Sequence, residues 1–62
     1  MMTQLSEKEL AVLNDLLGDE ELLVKKFKML ASHTEDEEIK RKYETISKQH
    51  QAHFDALYAY LK

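Results

Sequence analysis

Apolar residues in this chain recur at alternating intervals of three and four. The first run is Leu10, Leu13 and Leu17, then Val24, Phe27 and Ala31. The second is Ile39, Tyr43, Ile46, His50, His53, Leu57 and Tyr60, with two histidines standing where aliphatic residues are expected. Such spacing is the period of one helix face, not the two-residue alternation of a half-buried strand. The 62 residues include no Pro and one Gly, so almost nothing interrupts a helix. Two long helices and one short connection are expected: helix 1 over about residues 6–32 and helix 2 over about 34–61.

The helix ends carry their own signals. Met1 to Gln4 reads as a frayed start. Ser6 fits as an N-cap, with Glu9 completing a capping box and Leu5 and Leu10 forming a hydrophobic staple. Leu16, Leu23 and Leu30 add a second apolar line, so the stripe is as wide as that of a bundle helix. The three/four phase persists across Gly18-Asp19, which favours one continuous helix although Gly costs ~1 kcal/mol relative to Ala in a helix interior. Ser32-His33-Thr34 is the expected connection, with His33 solvated. Thr34 is read as the second N-cap and Glu37 as its capping-box partner. The acidic run Glu35-Asp36-Glu37-Glu38 then lies where the helix dipole favours negative charge, which explains it without a binding role. Lys40, Arg41 and Lys42 follow one turn later, within pairing distance of the run.

A connection this short makes the helices antiparallel neighbours. A single domain over residues 1–62 follows, and a domain this small is marginal alone. Two helices cannot enclose a wide stripe on each. The expected fold is therefore all-α: an antiparallel two-helix hairpin dimerising with C2 symmetry into a four-helix bundle.

Charge and composition exclude several classes. The net charge is −3 with both signs interleaved, which disfavours nucleic-acid and anionic-membrane partners. Apolar runs such as Leu22-Leu23-Val24 and Leu10-Ala11-Val12-Leu13 are too short for a membrane span or signal-peptide core. A soluble, cytoplasmic protein is expected. Cysteine is absent, so there is no disulfide scaffold. There is no nucleophile elbow, phosphate loop or paired-carboxylate cleft. Tyr43, Tyr58, Tyr60 and Met29 read as packing residues, and no enzymatic activity is expected.

The seam polar residues are the candidates for function. With the hairpin centred near residue 33 or 34, Glu20 lies opposite Ser47, within reach of His50, and Asn14 lies opposite His53. Glu20, His50 and His53, with Asn14, would form a polar layer. One reading is a metal site for zinc, iron or manganese, since one carboxylate and two imidazoles form a credible ligand set. The simpler reading is a buried hydrogen-bonded network that fixes register, with no cofactor.

Glu20-Glu21-Leu22-Leu23-Val24-Lys25-Lys26-Phe27 followed by Gln49-His50-Gln51-Ala52-His53-Phe54 resembles the coat F type of spore coat proteins, small helical members of the ferritin-like superfamily. The resemblance runs from Leu5 to Leu61. It implies a ferritin-like four-helix bundle, a structural role in or on the spore coat, and other coat proteins as partners. In ferritin-like di-iron proteins one helix of each pair supplies a Glu and the other a Glu-x-x-His. By that resemblance Glu20 matches the first Glu, Phe27 the aromatic seven residues later, and His53 the motif's His. His50 stands where the bridging Glu belongs. An imidazole cannot bridge two irons as a carboxylate does, so ferroxidase or peroxidase chemistry is not expected, whereas metal binding is retained as an alternative. A third alternative is a helical adaptor offering its stripe to another protein.

Overall fold

The computed structural model describes residues 5–61, so the reading of Met1 to Gln4 concerns residues outside it. Two helices pack against each other as a hairpin. Helix α1 spans Glu7–His33 and helix α2 spans Glu37–Tyr58, and a single 3-10 turn, Ala59–Leu61, ends the described chain. Helix α1 starts as its sequence requires. Ser6 Oγ accepts from the Glu9 backbone N–H at 3.1 Å, and the Glu9 carboxylate accepts from the Ser6 N–H at 2.9 Å. That donor, first, and the Ser6 hydroxyl hold the Glu9 carboxyl below its ordinary pKa. Helix α1 runs unbroken through Gly18, where an added Cβ would meet nothing within 4 Å.

The connection lies two residues later than expected. Thr34 closes α1 rather than opening α2: its backbone N–H donates to the Leu30 carbonyl at 3.1 Å. Asp36 is the N-cap of α2, its Oδ1 accepting from the Glu38 and Ile39 N–H groups at 2.9 and 3.0 Å. Thr34 Oγ1 instead accepts from Asp36 N–H at 3.2 Å, bracing the turn. A carboxylate caps better than a threonine hydroxyl in this setting because it adds a full charge at the positive end of the dipole. His33 is the exposed last residue of α1, and Glu35 lies in the connection outside the first turn of α2.

The later turn shifts the register between the helices. Ser47, not a residue lower on α2, meets Val24, donating from Oγ to the Val24 carbonyl at 3.2 Å. Glu20 meets His50. Ser47 therefore does not lie opposite Glu20, nor Asn14 opposite His53, and Asn14 is exposed.

The interior is thin. Leu13, Leu17, Val24 and Ala31 are the buried apolar residues of the described chain, all from the expected seam of α1. On α2 the inward line is Tyr43, Ser47, His50, Phe54 and Leu57, of which only Ser47 is buried. Ile46 is half-buried like Tyr43, His50, Phe54 and Leu57, whereas His53 is exposed and Ser47, absent from the expected line, is buried. Ile39, Tyr60 and Met29 are exposed. Backbone extents of 46 × 19 × 11 Å leave no second helical layer behind the first. Among the described residues, no helix is long and apolar enough to cross a membrane.

Candidate functional site

The sequence-predicted residues Glu20, His50 and His53 do come together. Glu20 projects from the middle of α1, and the two histidines, three residues apart, project from α2 toward it. Glu20 Oε1 lies 2.6 Å from His50 Nδ1, and Oε2 lies 3.5 Å from His53 Nδ1. An ionised carboxylate only accepts, so the His50 contact requires a hydrogen on Nδ1, which leaves Nε2 with a free lone pair in the neutral ring. One carboxylate thus faces both imidazoles, one on each oxygen.

The His50 ring is held from two further sides. Phe27 stacks on it with centroids 6.0 Å apart and planes 14° from parallel. His53 meets it edge-on, at 5.5 Å and 86°. Phe27 also contacts Tyr43 at 5.9 Å. Neither the Phe27 stack nor the burial of Ser47 was anticipated from sequence. The sequence does place Phe27 on the Glu20 face, seven residues or two turns further on, but its stacking on His50 depends on the register between the helices.

A fully buried network was one expectation, and the side chains are more open than that. Glu20 and His50 are 19% and 23% exposed, and His53 is 59% exposed. Asn14, expected in this layer, is exposed. One potential ligand atom from each of Glu20, His50 and His53 lies within 4.8 Å of the other two. The dinuclear carboxylate centre that a ferritin-like resemblance implies does not fit these side chains, because Glu20 is the sole carboxylate of the group.

The cluster sits within a two-sided molecule. Leu16, Glu20, Leu23, Phe27 and Leu30 follow one another at four- and three-residue intervals along one side of α1. The Glu20–His53 and Phe27–Tyr43 contacts place that line beside Ile39, Tyr43, Ile46, His53 and Tyr60 of α2. At the open end of the hairpin this side forms a largely apolar groove, in which Leu5, Val12, Leu13, Leu16, Leu57 and Tyr60 are joined by Lys8 and Glu9. The opposite groove is lined by Glu21, Lys25, Lys28 and Gln51 around Val24 and Phe54, and by Glu44 and Lys48 further along.

No family model, curated protein or solved structure matches this chain.

Proposed function

We propose that the chain is a non-enzymatic structural protein whose hairpin is one half of a homodimeric four-helix bundle. The observation that carries this reading is the apolar side of the hairpin. Leu16 is 43% exposed, Val12 57%, Ile39 41% and Tyr60 52%, all on or beside that one side. A contiguous apolar face of this kind on a small chain marks an interaction surface. The occupant is a second copy. The hairpin buries four apolar residues, too few to stabilise a chain of this length without disulfides, and association is the usual remedy. A second copy also brings the same long face, as an isologous interface requires. The half-exposed Glu20–His50–His53 layer lies within that face, where a polar layer favours one register over others.

The coat F resemblance extends this reading to a structural role in the spore coat, with other coat proteins as partners; that extension rests on the resemblance alone. Melting followed by circular dichroism across a hundredfold range of protein concentration tests the dimer. Folding linked to association makes the melting temperature rise with concentration. A concentration-independent melt at full helicity would remove the basis for the bundle and leave the face to a foreign helix, the adaptor reading.

A further inference from the structure

We propose that Glu20, His50 and His53 bind one borderline divalent transition metal ion of the zinc(II) class, held between the two helices. This goes beyond the structural reading and stands on separate observations. The donor set decides the class of ion: two imidazole nitrogens and one carboxylate oxygen suit zinc and its neighbours, whereas calcium and magnesium take shells of oxygen. The spacing suits the ion too. Ligand atoms around a tetrahedral ion at 2.0–2.2 Å lie roughly 3.3 Å apart. Glu20 Oε1 lies 2.6 Å from His50 Nδ1 and Oε2 lies 3.5 Å from His53 Nδ1, and one ligand atom from each of the three residues lies within 4.8 Å of the other two.

Preorganisation and access are both present. The Phe27 stack holds the His50 ring, while His53 is exposed enough to admit an ion. Three protein ligands leave a fourth position for water or a group from outside the hairpin. One ligand comes from α1 and two from α2, so the ion ties together helices that share few buried aliphatic side chains. Small scaffolds use structural metals in this way. When His50 ligates through Nδ1, the neutral ring carries its hydrogen on Nε2 instead.

The full chain, stripped with chelator, is titrated with cobalt(II) chloride and then with zinc chloride. The expected result is visible absorption of four-coordinate cobalt, its displacement by zinc, and a higher melting temperature with either ion. His53→Ala removes an exposed side chain, and Glu20→Gln preserves shape. Each should keep wild-type helicity and lose at least ~10-fold in affinity, since even outer partners of metal ligands contribute about that much. Absence of both cobalt absorption and thermal shift would overturn the proposal and leave the cluster as hydrogen-bonded side chains. So would binding of equal strength in both variants, which would place the ion on surface carboxylates elsewhere.

Discussion

The two broad sides of the hairpin are built from the same pair of helices and differ in almost every respect. One side carries Leu16, Leu23, Leu30, Ile39, Ile46 and Tyr60, with the Glu20–His50–His53 layer among them. The other carries Glu21, Lys25, Lys28, Glu44, Lys48 and Gln51. The charged side is finished: its aliphatic stems shield Val24 and Ser47, and its charges stay in water. The apolar side leaves side chains half covered that water does not favour. A hairpin that faced solvent equally on both sides would have no reason for this asymmetry, and a hairpin that is half of a bundle has one.

The sharpest way to break the comparison is to place one charge on each side. Leu23→Glu puts a carboxylate in the half-buried middle of the apolar side. It should weaken association by roughly a hundredfold, about 2.7 kcal/mol, because a desolvated charge has no partner there. Lys25→Glu, two residues away on the other side, should stay within about 0.5 kcal/mol of wild type. Equal effects from the two changes in sedimentation would dissolve the distinction between the sides.

The next largest effect concerns the turn that sets the register of both sides. Asp36→Ala should destabilise by ~1 kcal/mol in a denaturant titration, the usual worth of an N-cap. Thr34→Ala should cost less, because the Thr34 hydroxyl accepts a single bond at 3.2 Å from the Asp36 backbone. The reverse order would restore Thr34 as the cap. Gly18→Ala should stabilise by roughly 0.5–1 kcal/mol, since Gly18 is helical and an added methyl meets no neighbour. A loss of stability would show that a second chain approaches closely at Gly18.

The smallest expected effect is one of pH. The Glu9 carboxyl is held below its ordinary value by the Ser6 N–H and hydroxyl. Its contribution is therefore present above the unfolded Glu value and is lost as pH falls through the lower folded value. Acid-range melting curves of wild type and Glu9→Gln should converge as pH drops. Curves that stay parallel would mean the capping box contributes no pH dependence.

The account of which features the sequence reveals follows the distance over which each is determined. The Ser6–Glu9 box is local, four residues long, and reads directly. The α1 seam follows from its period alone, because Leu13, Leu17, Val24 and Ala31 are all small or aliphatic and compete with nothing. Two candidates compete at the turn. Thr34 has Glu37 three residues on and so reads as a capping box, whereas Asp36, which caps α2 in the structure, has Ile39 there and carries no such signal. Choosing the earlier one moved the connection by two residues, which misaligned Ser47 and Asn14. On α2 the inward line passes through a serine. Hydropathy favours Ile46 over Ser47, yet Ser47 is the residue with a partner, the Val24 carbonyl, that requires close approach of the helices. The Glu20–His50–His53 set survived the register error because residues three apart on one helix offer two chances to meet one carboxylate.

The central claim is that the apolar side is closed by a second copy of the chain. Sedimentation equilibrium at micromolar concentration tests it most directly. The account predicts twice the mass of one chain for the wild type and the mass of a single chain for Leu23→Glu. A wild-type protein with full helicity and the mass of one chain would contradict it.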